Sequence, residues 1–186
     1  VVLPAFETIW VPVVNHPNRE EDDFDSVRVV MVVGVPERLR QFQEQTPHAP
    51  ILNCFGQTEV CAFLSLSELD DDPELRFTKG GFPMPGMEAE VHDPDTGEVL
   101  PNGSVGELWY RGPNMFDGYF RDQELTKEVF DGRGFFKTGD ICEIDIDGRV
   151  TFVSRLKDML KVGGENVSAA EVEGYLITHP AIALAQ

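Results

Sequence analysis

The sequence has 186 residues, of which 41% are hydrophobic and 10% aromatic, and its formal net charge at pH 7 is −18. A chain of this size and composition folds around one core or forms parts of two domains. The acidic balance argues against a nucleic-acid partner, which requires a basic face, and no apolar run reaches the roughly 18 residues of a membrane helix. No secretion signal is visible, and the three cysteines lack metal-binding spacing, so we expect reduced thiols in a cytoplasmic protein.

The two ends of the sequence look like cuts within a longer chain. Val1 is not an initiator methionine, and residues 181–186 stop within an apolar run. We therefore expect an internal piece of a larger protein, which extends from the end of one domain into the beginning of the next.

The first 79 residues carry the pattern of an α/β sheet. The β-branched run 27–33 predicts a strand buried on both faces, and a helix over 37–45 and a short strand over 51–55 follow it. Residues 3–14 are compatible with either a helix or an apolar strand. This order predicts that residues 1–79 end a parallel α/β subdomain, whose ligands bind beyond the carboxyl ends of the strands.

Residues 80–154 have a different pattern, in which short runs alternate apolar and polar residues and turn sequences separate them. The runs are 88–92, 106–111, 140–146 and 149–154. They predict a small antiparallel subdomain that resembles a β-barrel.

A third pattern follows a predicted hinge at residues 155–157. A strand over 159–162 leads to a turn at Gly163-Gly164 and a helix over 169–178, whose start Ser168 and Glu171 would cap. Residues 158–186 are therefore predicted to begin a small α+β C-terminal domain.

The segment Asn53–Glu59 carries side chains that suit a nucleotide. The Phe55 ring can stack on a base, and Gly56 allows a ligand to approach the backbone. The Thr58 hydroxyl can bind a phosphate oxygen, and the Glu59 carboxylate can hold Mg²⁺. The alternative is a plain strand-to-loop turn with Phe55 in the core.

Two later segments suit the same ligand. Asp140, in Thr138-Gly139-Asp140, can accept hydrogen bonds from both hydroxyls of a ribose, although this tripeptide is also common in ordinary turns. Arg155, Lys157 and Lys161 then concentrate positive charge at a domain boundary of an acidic chain, beside paired glycines. Such a boundary suits an anionic ligand held between domains.

Together, in this order, these segments resemble the adenylate-forming enzymes, which include acyl-CoA synthetases, luciferase and peptide-synthetase adenylation domains. Gly118-Tyr119 and the stretch 80–86 belong to the same resemblance, which covers the whole chain. It implies an ATP-dependent ligase that joins a carboxylic acid to coenzyme A through an acyl-adenylate, with Mg²⁺ as cofactor and no nucleic-acid or transmembrane component.

The resemblance also implies roles for individual residues. The expected catalytic residues are Thr58, Glu59 and Lys161, with Glu59 also the metal ligand and Lys157 the hinge. Lys161 and the glycine pair would serve thioester formation, and Arg155 would assist Asp140. The expected residues of the nucleotide and coenzyme A sites are Gly34, Val35, Asn53, Phe55, Gly56, Thr58, Asp140, Arg155, Gly163 and Gly164.

Three alternatives to this function stay open. The first is a peptide-synthetase adenylation domain, but such domains typically have aspartate at the hinge, so Lys157 favours an acyl-CoA or aryl-CoA synthetase. The second is a non-catalytic nucleotide-binding module, and the third is a ligand-free β-rich module. We expect the 186-residue piece to be inactive alone, because the family's phosphate-binding loop and terminal catalytic lysine are not in it.

Overall fold

The computed structural model describes residues 2–20, 23–162, 165–179 and 181–182. It contains two five-stranded sheets and a smaller two-stranded sheet. The elements are β1 (Val2–Phe6), α1 (Glu7–Val14), β2 (Val29–Val33), α2 (Pro36–Gln45), β3 (Ile51–Phe55), β4 (Ser65–Leu66), α3 (Pro73–Thr78), β5 (Phe82–Pro83), β6 (Glu88–His92), β7 (Val99–Leu100), β8 (Val105–Arg111), α4 (Gln123–Val129), β9 (Phe136–Ile144), β10 (Val150–Arg155), β11 (Met159–Val162), β12 (Glu165–Ser168) and α5 (Ala169–Ile177).

The first sheet has the order β1-β2-β3-β4-β5, in which β1, β2 and β3 are parallel and the two short strands after them are antiparallel. β2 is buried on one face, where Val30 and Val32 have no exposed surface, whereas Val29 and Met31 on the other face are partly exposed and Val33 is exposed. The predicted burial on both faces was therefore wrong. The core that Val30 and Val32 enter also contains Leu39 and Phe42 from α2. The ambiguous residues 3–14 contain both structures, since β1 ends at Phe6 and α1 begins at Glu7.

The second sheet is antiparallel throughout, with the order β10-β9-β8-β6-β7. The predicted antiparallel subdomain is therefore confirmed, but the resemblance to a barrel was wrong. β10 and β7 occupy opposite edges, and β7 is only two residues long, so the described strands form an open sheet. The core beneath it includes Leu108, Tyr110 and Phe136.

The two sheets are joined by backbone and side-chain contacts. Gly80 N–H donates to the Val150 carbonyl at 2.7 Å, and Val150 N–H donates to the Gly81 carbonyl at 2.8 Å. Arg149 forms a two-pronged ion pair with Asp71, with N···O distances of 2.7 and 2.6 Å. Both side chains are largely buried, and this pairing holds the pKa of Asp71 below its ordinary value.

The third sheet is a hairpin of β11 and β12, and α5 follows it directly. The predicted strand 159–162 and the predicted helix are thus confirmed, although the helix ends at Ile177. The glycine turn and the capping side chains of this region lie outside the described part of the structure. Among the described residues, no helix is long and apolar enough to cross a membrane.

Candidate functional site

A cleft of about 970 Å³ lies between the two large sheets, at the carboxyl ends of the parallel strands. Phe6 and Val33 line it at the ends of β1 and β2, and residues 56–59 and 61–63 line it after β3. The opposite wall comes from the second sheet and from α4. This position, outside the carboxyl edge of an open parallel sheet, is where ligands bind in α/β folds.

The loop after β3 has a strained backbone. Thr58–Val60 form a turn of 3₁₀ helix, after which Cys61 and Ala62 have φ values of 54° and 90°, in the left-handed region that non-glycine residues avoid. A Cβ atom at Gly56 would overlap the Ala62 carbonyl oxygen, so glycine is required for the loop to fold back on itself. Backbone strain of this kind is concentrated at functional sites.

Thr58 and Glu59 both face this cleft, as the sequence predicts for ligand-binding residues. The Tyr119 hydroxyl donates to Glu59 Oε1 at 3.0 Å, and the Phe116 N–H donates to the Glu59 carbonyl at 2.8 Å. Burial, together with the bond to Glu59, raises the pKa of Tyr119 to about 12, so its hydroxyl stays a donor. The carboxylate is therefore held in place before any ligand arrives.

Asp140 lies on β9 with only 1% of its surface exposed, beside the cleft-lining residues Thr138 and Gly139. Arg155 Nη1 lies 2.8 Å from Asp140 Oδ1, but this contact lacks hydrogen-bond alignment, and Oδ1 has no hydrogen-bond donor among the described residues. Burial raises the pKa of Asp140 to about 6, although Arg155 and Gln57 both act to lower it. A buried carboxylate oxygen without a donor fits a ligand hydroxyl.

Three further residues of this region were not predicted. The Gln57 side chain contacts Asp140, and Glu107 accepts hydrogen bonds from Trp109 Nε1 at 2.8 Å and from the Gly139 N–H at 3.0 Å. Tyr119 belonged to the resemblance but had no assigned role. Apart from Trp109, which lies two residues from Glu107, their partners are distant in the sequence, so local spacing does not identify these residues.

Several predicted residues lie outside the cleft lining. Phe55 is 7% exposed, and its ring stacks on Phe152 with centroids 6.0 Å apart. The Asn53 side-chain amide donates to the Phe77 carbonyl at 3.4 Å. Gly34 and Val35 lie between β2 and α2, where a Cβ at Gly34 would come within 3.2 Å of Leu39.

The residues predicted at and after the hinge are only partly described. Lys157 is exposed in a 3₁₀ turn formed by Leu156–Asp158. The backbone of Lys161 belongs to β11, but its side chain, and the whole of Gly163 and Gly164, lie outside what the structure describes.

The site suits a magnesium nucleotide by the chemistry of its donors. Among the described residues, no group of three or more His, Cys, Asp or Glu side chains could hold a metal alone. Mg²⁺ is usually bound through one or two carboxylates together with substrate phosphates. Glu59 is a fixed carboxylate of this kind, and Asp140 Oδ1 can accept from a ribose hydroxyl on the other side.

Comparison with known proteins agrees with this geometry. Residues 2–120 match the family described as AMP-binding enzyme. The chain is 39% identical over 186 residues to 4-coumarate–CoA ligase-like 2 of Arabidopsis thaliana, with 97% of this chain and 33% of that protein covered. It is 35% identical to the peroxisomal OPC-8:0-CoA ligase 1 of the same plant, with 97% and 34% covered.

A solved structure has the same fold. The ATP-bound MatB of Rhodopseudomonas palustris superimposes with a TM-score of 0.86 at 32% identity, over 99% of this chain and 36% of that one. The chain therefore spans about a third of the length of the relatives it matches. By its family match and its identity to these ligases, the chain belongs to the AMP-binding enzymes, which form adenylates.

Proposed function

We propose that the full-length protein containing this chain is an ATP-dependent acid–CoA ligase. The observation that carries the proposal is that Thr58 and Glu59 from the first sheet line one cleft with Arg155 from the second, and that Arg155 pairs there with the buried Asp140. These four side chains offer a hydroxyl, two carboxylates and a guanidinium. Relatives named as CoA ligases and an ATP-bound structural neighbour support the same reaction class.

The proposed reaction has two steps. A carboxylate oxygen of the acid attacks the α-phosphorus of ATP, the bond to the β-phosphate oxygen breaks, and pyrophosphate leaves. The sulfur of coenzyme A then attacks the acyl carbon, its proton is lost, and AMP leaves. Neither step needs a protein nucleophile, so the protein positions the reactants and stabilises charge.

The proposed roles follow the chemistry of each side chain. Thr58 donates to a phosphate oxygen, Glu59 holds Mg²⁺, and Asp140 with Arg155 binds the ribose. When bound, Mg²⁺ would neutralise phosphate charge. We further propose that Phe55, Gly56, Asn53, Gly34 and Val35 shape the nucleotide pocket, since they surround the end of the parallel sheet.

The residues after β10 would serve the second step. We propose that Lys157 is the pivot of a domain movement and that Lys161, Gly163 and Gly164 act in thioester formation. The piece from Val1 to Gln186 would be inactive alone, and we place the protein in the cytoplasm. A peptide-synthetase type of adenylation would share the first step and differ in the second.

The test is acid-dependent exchange of ATP with radioactive pyrophosphate, followed by acyl-CoA formation, in the full-length protein. We expect exchange with at least one member of a panel of fatty and aromatic acids, and transfer to free coenzyme A. Glu59→Gln should lower the exchange rate roughly 10²-fold, as loss of one electrostatic contact commonly does.

Glu128→Gln provides the matched control, because Glu128 is a carboxylate on α4 that lines the same cleft. It should leave the exchange rate within about twofold. Absence of exchange across the panel would overturn the proposed reaction, and exchange without transfer to coenzyme A would overturn its second step in favour of the peptide-synthetase type.

A further inference from the structure

The side chain of Gln57 connects the two halves of the cleft. Its Nε2 donates to Asp140 Oδ2 and, at 3.3 Å, to the carbonyl of Thr138. Its Oε1 accepts a hydrogen bond from the Tyr110 hydroxyl at 3.2 Å. Gln57 follows a strand of the first sheet, whereas its three partners belong to β8 and β9 of the second.

The orientation of this amide is fixed by the chemistry of its neighbours. A carboxylate and a backbone carbonyl can only accept, so the NH₂ group must face Asp140 and Thr138. The Tyr110 hydroxyl is fully buried, and burial raises its pKa far above the ordinary value, so it donates to the remaining oxygen. A flipped amide would lose all three bonds.

We propose that Gln57 is a positioning residue of the nucleotide site, which Tyr110 holds in place and which orients the Asp140 carboxylate towards the ribose. This inference rests on the proposed function, because it assigns Asp140 a ribose ligand. The inference adds a residue that acts on ribose recognition through the Asp140 carboxylate.

Asp140 has few other means of being held. Its N–H donates to Thr138 Oγ1 at 2.9 Å, which fixes the backbone but not the carboxylate. Arg155 has nearly half of its side chain exposed and makes no aligned hydrogen bond to Oδ1. Gln57 therefore supplies the aligned hydrogen bond that the carboxylate accepts from a side chain within the described residues. The other carboxylate oxygen, Oδ1, lies beside Arg155 and accepts no hydrogen bond from the described residues.

The charges around Asp140 make this hydrogen bond important. Arg155 on β10 favours the ionised carboxylate, whereas Glu107 on β8 and Glu59 in the loop oppose it, and the buried Cys142 thiol lies two residues further along β9. Burial is the largest effect, and it raises the pKa of Asp140 to about 6. Removing the Gln57 donor should raise this pKa further, so that the carboxyl group is protonated nearer to neutral pH.

Other roles for Gln57 predict different behaviour. A residue that only fills space between the sheets would, when changed, weaken all nucleotides alike through a general loss of structure. A residue that shapes the acid pocket would change the KM for the acid and leave nucleotide binding alone. Only a residue that acts through Asp140 changes the recognition of the ribose hydroxyls.

The experiment uses the full-length protein with Gln57→Met, which keeps the side-chain length but removes the amide. Tyr110→Phe removes the hydroxyl that donates to the Gln57 amide, and Asp140→Asn tests whether Gln57 acts through the Asp140 carboxylate. Gln123→Met is a control at an exposed glutamine. Dissociation constants are measured for ATP and for 2′,3′-dideoxy-ATP, which lacks both ribose hydroxyls. The titration of Asp140 is followed without nucleotide by carbon-13 NMR of aspartate-labelled protein, with Asp140→Asn identifying its signal.

We expect Gln57→Met to weaken ATP roughly tenfold while changing dideoxy-ATP by less than about twofold, and Tyr110→Phe to act in the same direction by less. The pKa of Asp140 should also rise by about one, which is a tenfold change in the affinity of the carboxylate for its proton. Because Gln57 acts through Asp140, the double variant that combines Gln57→Met with Asp140→Asn should bind ATP no more weakly than Asp140→Asn alone.

An equal loss for both nucleotides, additive effects in the double variant or an unchanged titration of Asp140 would each overturn the proposal. If the wild-type protein binds no ATP, the proposed function fails. The NMR comparison still decides whether Gln57 controls Asp140, because it needs no nucleotide.

Discussion

Replacing Asp140 by asparagine should stabilise the protein at neutral pH while weakening its binding of ATP. The pKa of Asp140 is about 6, compared with an ordinary value of 3.8, and burial is the main cause. That difference corresponds to about 3 kcal/mol by which the charged carboxylate is disfavoured in the folded protein. Asparagine is uncharged, and the half-exposed Arg155 can turn towards solvent, so we expect a gain of about 1–3 kcal/mol.

The dependence of this gain on pH follows from the sign of the shift. Because the folded state binds the Asp140 proton more tightly than the unfolded state, the wild type loses stability as pH rises from about 4 to about 6. Above this range the loss is complete, and below it the carboxyl group is neutral in both states. The advantage of Asp140→Asn should therefore be largest at pH 7.5 and fall to roughly a third of that value at pH 4.5.

The assay is urea unfolding of the full-length protein at pH 7.5 and 4.5, followed by tryptophan fluorescence, with an unchanged m-value as the test of comparability. Asp147→Asn removes an exposed carboxylate from a turn of the same sheet and should shift the midpoint little. ATP affinity of Asp140→Asn should fall about 10- to 150-fold, because a hydrogen bond to a charged group is worth about 1.5–3 kcal/mol. Equal or lower stability of Asp140→Asn at pH 7.5 would refute the reasoning.

Two further predictions concern the strained loop. Cys61 is exposed on the cleft, whereas the other two thiols are buried and their pKa values are raised. A thiol reagent at pH 8 should therefore label Cys61 first, and bound ATP should slow this labelling, as measured by peptide mass spectrometry. Equal labelling rates with and without ATP would place the nucleotide elsewhere. Gly56→Ala should lower the melting temperature by several degrees, because its Cβ would overlap the Ala62 carbonyl. Gly132→Ala is the control, since a Cβ at residue 132 would have open space around it. Equal melting temperatures for the two variants would contradict the steric argument.

Local patterns predicted the long elements well because their causes are local. The β-branched residues of β2 and the apolar–polar alternation in β6 and β8 favour extended backbone, and the structure has strands there. The two-residue strands and the short helices α3 and α4 were not predicted. They are too short to show a period, and they form because neighbouring elements hold them.

The candidate site could be predicted only in part, for a related reason. Thr58, Glu59 and Asp140 have side chains whose chemistry suggests a ligand, and the first two line the cleft. Gln57 and Tyr119 are ordinary residues made relevant by partners 83 and 60 positions away. Such pairings arise from tertiary structure, and no spacing in the sequence encodes them.

The contacts between the sheets bear on where a hinge can lie. The junction of the first two sheets is held by the paired backbone bonds of Val150 and by the buried ion pair of Arg149 with Asp71. The Gln57 amide closes the same junction on the cleft side. Because breaking a buried ion pair leaves an uncompensated charge, these two sheets should move as one body.

After β10 the connection is of a different kind. Leu156–Asp158 form a single 3₁₀ turn, and the side chains of all three residues are exposed. A short exposed turn can change its φ and ψ angles without disturbing a core, which is the property that hinges require. Lys157 lies at the centre of this turn, two residues beyond Arg155. A pivot there would leave the junction of the two sheets, with the Gln57 and Asp140 contacts that hold the proposed ribose site, intact while the following domain moves.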